Sequence, residues 1–126
     1  MFAPVRAAWA LFLGVALMML GGGLQSSLLG VRAELEGFPT TATGVIMSAY
    51  FVGFLLGSLI VPRLIGRVGH VRVFAALASL ASASALAHVI FIEPATWTAM
   101  RLITGFAYAG LYIVAESWLN ARATNR

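Results

Sequence analysis

Four long apolar segments, separated by short polar connections, dominate this chain of 126 residues. A helix needs about 20 mainly apolar residues to cross the hydrocarbon core of a bilayer. The four segments reach or approach that length, and they cover residues 7–29, 44–61, 73–92 and 97–119. The pattern therefore predicts an all-α membrane protein in which residues 1–126 form a single unit of four transmembrane helices, with the lipid bilayer as its first partner.

The composition argues against a soluble protein. Hydrophobic residues make up 61% of the chain and charged residues only 10%, whereas soluble domains carry about 25% charged residues. The alternative, a soluble helical bundle with an unusually large core, would expose apolar patches that promote aggregation. The net charge of +4 indicates no nucleic-acid partner, because the arginines stand at the ends of apolar segments rather than together on one water-facing surface.

The distribution of arginine predicts the orientation in the membrane, because cytoplasmic loops are enriched in basic residues. With the N-terminus inside, one loop arginine, Arg32, lies outside, and all the others except Arg101 lie inside. Both chain termini are therefore predicted to be cytoplasmic. The inside set is Arg6, Arg63, Arg67, Arg72, Arg122 and Arg126.

The connections between the helices have loop composition. Residues 30–43 and 62–72 are rich in glycine, proline and charged side chains, which favour turns. In the third connection, Pro94 ends the preceding helix and Thr96 is predicted to cap the fourth helix. The tryptophans near the predicted helix ends favour the headgroup level of the membrane; they are Trp9, Trp97 and Trp118.

Small residues predict close helix packing. Ala49, Gly53 and Gly57 are spaced by four and share one face of the second helix, a GxxxG-type pattern that lets two backbones approach. The third helix is rich in alanine and serine and only weakly hydrophobic, so much of it is expected to pack against protein.

A polar group follows three glycines in the first helix, where the backbone can bend easily. It consists of Gln25, Ser26 and Ser27. Two interpretations remain open: these side chains face a substrate path, or they mark the end of the helix near the water interface.

Two ionisable residues of the fourth helix are the strongest functional candidates, because such groups within membranes usually face a cavity or a partner. Arg101 lies about one turn from the outer end, so its side chain either finds a partner or extends to the surface. Glu116 lies about 22 Å further along the axis, too far to pair with Arg101. It is predicted to form an ion pair with the arginines of residues 62–72 or, alternatively, to lie in water at the interface.

No enzymatic chemistry is evident. His88 is either a proton relay or a packed side chain near a helix end. The chain has no cysteine, and it shows no metal-binding constellation, nucleophile triad or phosphate-binding loop. The sequence therefore predicts neither an enzyme nor a cofactor.

Three motifs resemble the major facilitator superfamily. Residues 62–72 (PRLIGRVGHVR) are similar to its signature loop, G-x-x-x-D-R-x-G-R-R; Arg67 and Gly69 match, Gly66 replaces the aspartate, and Arg72 is near the paired basic positions. Residues 101–109, which begin with Arg101 and contain Gly105, resemble its fourth-helix pattern, R-x-x-x-G-x-small-x-small. Residues 116–120 (ESWLN) resemble those of an uncharacterised bacterial subgroup.

The resemblance implies secondary active transport of an unidentified small solute across a bacterial inner membrane by the rocking of two six-helix halves. Arg67 and Arg72 would latch the cytoplasmic side through Glu116, and Arg101 would serve coupling or helix packing. Such carriers have about twelve helices, so the chain is expected to be an incomplete N-terminal half whose partners are the remaining helices.

Two other functions remain open. A dimeric exporter of the small four-helix multidrug type would need a membrane-buried carboxylate, usually in the first helix, and residues 7–29 contain none. A non-transporting membrane subunit would bind its partner through the faces rich in glycine and alanine.

Overall fold

The computed structural model describes the backbone of residues 2–124 and the side chains of residues 9–120. It consists of four helices, α1 (Phe2–Leu35), α2 (Thr40–Val68), α3 (His70–Ile90) and α4 (Pro94–Thr124). Each is long and apolar enough to cross a membrane, and no strand occurs between residues 2 and 124. The predicted all-α fold with four membrane-spanning helices is confirmed. The side chains of Arg6, Arg122 and Arg126, which the predicted orientation uses, lie outside the described residues.

Helix α4 is the centre of the bundle. It packs most extensively against α2 and then against α3, while α1 makes only light contact with α4 and α2. Short connections at residues 36–39 and 91–93 lie at one end of the bundle, here named the Gly37 end. The α2–α3 connection lies at the opposite end, here named the Gly69 end.

Glycines bring α2 and α4 into backbone contact. A Cβ atom added at Gly53 would overlap the carbonyl oxygen of Leu102, and one added at Gly105 would overlap the carbonyl oxygen of Tyr50. At Gly57 an added Cβ would lie 2.6 Å from the Phe106 carbonyl oxygen. Because these obstacles are backbone atoms, no side-chain rotation could relieve them. The predicted small-residue face of α2 is therefore confirmed, and Ala49, Gly53 and Gly57 are all buried in it.

Two apolar clusters hold the ends of the bundle. Near the Gly69 end, α2, α3 and α4 contribute Val61, Val73, Leu77, Ala107, Leu111 and Val114. Near the Gly37 end, the buried residues are Leu29, Ala33, Ile46 and Trp97. Trp97 is only 1% exposed and packs edge-on against Phe38 at 5.2 Å between ring centroids, so its indole belongs to the protein core rather than to a lipid-facing girdle.

The prediction of a loop over residues 62–72 was wrong. Helix α2 continues through Pro62 to Val68, and the only break is at Gly69, whose φ is +100°. Proline removes one backbone N–H, but membrane helices tolerate this because local adjustments satisfy the freed carbonyl. Only a residue without a Cβ adopts this positive φ easily, so Gly69 rather than Pro62 sets the boundary.

The other predicted boundaries need smaller corrections. Helix α1 extends to Leu35 and α2 begins at Thr40, which shortens the predicted 30–43 loop to four residues. Helix α4 begins at Pro94, a favourable first position because its missing N–H would have no helical partner there. Thr96 is therefore not the cap; it lies in the first turn and donates a hydrogen bond to the Glu93 carboxylate.

Much apolar surface remains uncovered on α1 and α3. On α1, Phe12, Leu20 and Leu28 are all more than half exposed. Helix α3 buries a single stripe, consisting of Val73, Leu77, Ser84 and His88, while its opposite face is open. The expectation that α3 packs broadly against protein therefore stays a prediction about surfaces beyond this four-helix contact.

Candidate functional site

A cavity of about 340 Å³ lies between α1, α2 and α4, in the middle of the bundle. Its walls combine glycine backbone, methionine, aromatic rings and one charged side chain, that of Arg101. The lining residues are Met19, Gly22, Gly23, Ser26, Met47, Tyr50, Phe51, Arg101, Tyr108 and Tyr112. We name it the Arg101 cavity.

Arg101 is buried rather than extended to the surface. Arg101 is only 3% exposed, so the alternative in which its side chain reaches the interface is wrong. The Nη2 atom donates a hydrogen bond of 3.0 Å to the Ser26 hydroxyl of α1. The guanidinium carbon lies 4.7 Å from the centre of the Tyr50 ring of α2, a distance typical of a cation–π contact. Three helices therefore meet at this side chain.

Local sequence explains how Arg101 reaches this position. Gly105 lies one turn further along α4, and its lack of a side chain lets the backbone of α2 approach at Tyr50. This brings the Tyr50 ring beside the guanidinium group. On α1, Gly22 leaves space for the Tyr108 ring, because an added Cβ would lie 2.7 Å from a ring carbon. The predicted fourth-helix pair, Arg101 and Gly105, therefore shapes the cavity together with Gly22, one of the three consecutive glycines of α1.

Aromatic rings continue from the guanidinium group toward the Gly69 end. Tyr50 and Tyr108 are 6.4 Å apart between centroids, and Tyr108 and Tyr112 are 6.1 Å apart. Sequence reasoning missed these tyrosines. A signal was present, because Tyr108 and Tyr112 follow Arg101 by seven and eleven residues and so share its face of α4.

The electrostatics of the cavity are one-sided. Among the described residues that line the cavity, Arg101 is the only one that is ordinarily charged at neutral pH. No carboxylate of these residues lines it. Its Nε atom is buried and has no hydrogen-bond partner in the described part of the chain. A buried cation that lacks an opposite charge is costly, and a charged group within a membrane usually marks a path for a solute or an ion.

Only one of the three predicted polar residues of α1 reaches this cavity. Ser26 contacts Arg101, whereas Ser27 is exposed on the outside of α1. Gln25 lines a separate cavity of about 490 Å³ between α1 and α3, together with His88 and Arg32.

His88 lies within a polar connection between α3 and α4. It is 4% exposed, and its Nδ1 lies 2.7 Å from the Ser84 carbonyl oxygen, so Nδ1 carries the donated proton. The Ser84 hydroxyl lies 2.9 Å from that of Thr104, and Trp97 Nε1 donates to the His88 carbonyl at 3.0 Å. These contacts give His88 a packing role, with its Nε2 unpartnered among the described residues.

The predicted latch residues lie apart from the Arg101 cavity. Arg67, Arg72 and Glu116 are exposed, and within residues 9–120 the ion pair observed is Arg32 with Glu36, at 2.8 Å. A hydrogen bond that the sequence did not indicate joins the Gly69 end to α4, between His70 Nε2 and Ser117 Oγ at 2.9 Å.

A further cavity and the arrangement of metal-ligating residue types give less information about function. A larger cavity of about 520 Å³ lies between α1, α3 and α4 at the Gly69 end, and its lining is mainly apolar. No group of three or more histidine, aspartate or glutamate side chains suited to a metal ion occurs among the residues that the structure describes.

Comparison with known proteins relates the chain to bacterial transporters. An uncharacterized MFS-type transporter of Enterobacter sp. (strain 638) is 29% identical over 121 residues, which are 96% of this chain and 32% of that protein. The uncharacterized MFS-type transporter YcaD of Escherichia fergusonii is 30% identical over 121 residues, with the same two coverages. YcaD of Salmonella paratyphi A is 27% identical over 125 residues, which are 99% of this chain and 33% of YcaD.

The chain spans about one third of the length of the curated relatives that it matches. No family model and no solved structure matches it. The structure and these relatives identify a multi-pass membrane protein. The predicted resemblance to the major facilitator superfamily is confirmed, and the chain is similar to an N-terminal portion of a bacterial MFS-type transporter.

Proposed function

We propose that this chain takes part in secondary active transport of a small solute by alternating access, as part of a longer carrier. The observation that carries the proposal is the Arg101 cavity. Its walls come from α1, α2 and α4, and α1 packs only lightly on the other two helices. A binding site shared between elements that are not firmly packed together is suited to opening and closing as they move.

The relatives support transport in general, because each is named a transporter. The open faces of α1 and α3 support a longer carrier, since helices outside the four-helix contact would cover them. Transporters of this kind place the substrate near the bilayer midplane between repeated halves. In a longer carrier of this kind, a second group of helices would add to the walls of the Arg101 cavity, which α1, α2 and α4 line here.

The membrane orientation follows from the arginine distribution. We place the carrier in the bacterial inner membrane with the Gly69 end and both termini of this chain in the cytoplasm. Arg63, Arg67 and Arg72 then lie at the cytoplasmic surface. The single arginine of the opposite loop region, Arg32, is paired with Glu36.

Separate roles are proposed for the predicted residue groups. Ser26 and Arg101 contact the solute, while Gly105 sets the helix spacing that positions Arg101. Gln25 and Ser27 border the path only if α1 turns about its axis during transport. At the Gly69 end, Arg67, Gly69, Arg72 and Glu116 form a cytoplasmic latch that closes in another state of the carrier. The exposure of Arg67, Arg72 and Glu116 in this structure leaves these side chains accessible for such contacts.

The test is transport by the full-length carrier that contains this sequence, purified and reconstituted in proteoliposomes. Uptake of radiolabelled anionic, neutral and cationic solutes is measured with and without an imposed proton gradient. We expect gradient-dependent uptake of at least one solute, its loss in Arg101→Gln, and its retention in Arg32→Gln. Absence of uptake for every solute class, with the protein folded and correctly inserted, would refute the proposal.

The alternative of a small dimeric exporter gains no support from the cavity. Such an exporter needs a membrane-buried carboxylate, and the only acid in the described part of α1 is Glu34, which is exposed close to the Gly37 end. No observation favours a non-transporting subunit over a carrier.

A further inference from the structure

We propose that the Arg101 cavity binds the carboxylate group of a small organic anion, with the aromatic walls holding the apolar part of the molecule. The claim that this anion is the transported solute rests on the proposed function. The claim that the anion binds in the cavity does not rest on the proposed function.

The first argument is the unbalanced charge. Arg101 is 3% exposed, and its one hydrogen-bonded partner among the described side chains is the neutral hydroxyl of Ser26. No acidic side chain of residues 9–120 lines the cavity. An entering anion would strongly stabilise a guanidinium group buried in this way, because the anion supplies the opposite charge that the walls lack.

The second argument is donor geometry. A guanidinium group has five N–H donors in one plane, and a carboxylate accepts two of them side by side. In Arg101 the Nη2 group already donates to Ser26, while Nε has no partner among the described residues. The Ser26 hydroxyl, which accepts from Arg101, still has its own proton to donate. Arg101 and Ser26 can therefore bind two oxygens of one carboxylate.

The third argument is the shape of the cavity. Its volume of about 340 Å³ lies in the range of small-molecule sites. One face of Tyr50 is taken by the guanidinium group, which leaves the rings of Phe51, Tyr108 and Tyr112 to contact an apolar body. A single cation suits a carboxylate monoanion better than a phosphate dianion, which would need further positive charge.

The main competitor is a carboxylate from another helix of the full-length carrier. If such a group pairs with Arg101, the cavity needs no anionic ligand. In that case neutral and anionic molecules would bind equally well, and removing the arginine charge would weaken neither.

The test uses the full-length carrier in detergent and three aromatic probes of similar size. Benzoate, benzyl alcohol and benzylamine are titrated by calorimetry against the unmodified protein and the variants Arg101→Gln, Arg101→Lys, Ser26→Ala and Arg32→Gln. Thermal unfolding of each variant establishes that it is folded. Arg32→Gln is the matched control, because it removes an arginine that lies outside the cavity and pairs with Glu36.

We expect benzoate to bind at least about tenfold more tightly than benzyl alcohol, because charged hydrogen bonds are lost with the alcohol. Benzylamine should not bind. Arg101→Gln should remove the preference for benzoate. Arg101→Lys should retain only part of it, because an ammonium group cannot form the two-pronged contact. Ser26→Ala should weaken benzoate binding even if Arg101→Gln does not fold, and Arg32→Gln should leave it unchanged.

Equal binding of benzoate and benzyl alcohol would overturn the inference, as would benzoate binding that is unaffected in folded Arg101→Gln and Ser26→Ala. Failure of binding and failure of transport are distinguishable. Benzoate binding that depends on Arg101, without uptake of any solute, would sustain the site and refute the transport proposal. Gradient-dependent uptake by a carrier that binds benzoate and benzyl alcohol equally would refute the site and sustain transport.

Discussion

At the scale of single residues, the Arg101 cavity depends on glycines that lie beside it. Arg101 reaches the Tyr50 ring because the backbones of α2 and α4 touch at Gly53 and Gly105. Larger residues at these two positions would push the helices apart, and the cation–π contact would lengthen with them. The position of a charged side chain is thus set by residues that carry no functional group.

Gly105→Ala is therefore expected to destabilise the protein by about 1–3 kcal/mol, the usual cost of forcing extra atoms into a packed interior. The new Cβ would overlap the carbonyl oxygen of Tyr50, which cannot rotate away. The measurement is the free energy of unfolding in mixed detergent micelles.

Gly44→Ala is the matched control, because Gly44 lies in α2 with nothing within 4 Å of an added Cβ. It should stabilise the helix by about 0.5–1 kcal/mol, since alanine loses less backbone entropy than glycine. Equal effects of the two substitutions would show that the backbone contact at Gly105 does not form in the micelle-embedded protein.

Sequence reasoning predicted some of these residues and missed others for a physical reason. The face formed by Ala49, Gly53 and Gly57 was predictable, because spacing by four fixes a helix face without reference to any other helix. The burial of Arg101 was not, because it depends on where Ser26 of α1 comes to lie. The tyrosines were missed because an aromatic ring in an apolar helix suits lipid and protein equally well.

At the scale of elements, the predicted α2 was too short because proline and glycine both counted as equally strong signs of a loop. Helix α2 has 29 residues, a length of about 43 Å at 1.5 Å per residue. It therefore extends beyond a hydrocarbon core of about 30 Å, and its basic end is helical rather than a loop. What ends α2 is the positive φ of Gly69, a backbone property that composition alone does not reveal.

This reasoning predicts opposite effects for two glycines only three positions apart. Gly69→Ala should destabilise the protein by about 1–2 kcal/mol, because a Cβ at positive φ approaches the backbone too closely. Gly66→Ala should be neutral or stabilising by up to about 1 kcal/mol, since Gly66 lies within α2 and has open space around it. Chemical denaturation of both variants in detergent measures the difference. A flexible loop over residues 62–72 would instead tolerate both changes alike.

The latch proposal makes a further prediction for the same end of the bundle. A single cysteine at Val68 should react faster with a water-soluble maleimide when Glu116 is changed to Gln, because the closed state would lose its ion pairs to Arg67 and Arg72. Breaking one such contact should raise the labelling rate by roughly two- to tenfold. Glu93→Gln, at the Gly37 end, is the control and should leave the rate unchanged. An unaltered rate in Glu116→Gln would count against the latch.

At the scale of the whole molecule, α1 is the least buried of the four helices over their described residues. The apolar stretch of α1 from Trp9 onward has none of its most hydrophobic window buried, yet its Ser26 contacts the buried Arg101. One side of the helix thus serves the cavity while the other is open. The relatives are about three times as long as this chain. Under the proposed function, further helices of a longer carrier would cover part of this open side, and the lipid bilayer would cover the rest.

Orientation is the last property of the whole molecule that can be tested, and two positions offer a closely matched comparison. Leu35 at the Gly37 end is 77% exposed and Val71 at the Gly69 end is 78% exposed, so cysteines at these positions differ mainly in the side of the membrane they occupy. In a cysteine-free background, a membrane-impermeant maleimide should label Leu35→Cys in intact cells with a permeable outer membrane. It should label Val71→Cys only in inverted vesicles if Arg63, Arg67 and Arg72 keep the Gly69 end in the cytoplasm, as the proposed orientation requires. The opposite pattern would reverse the topology and place the proposed latch on the periplasmic side, whereas the Arg101 cavity, which lies between the two ends, would be unaffected.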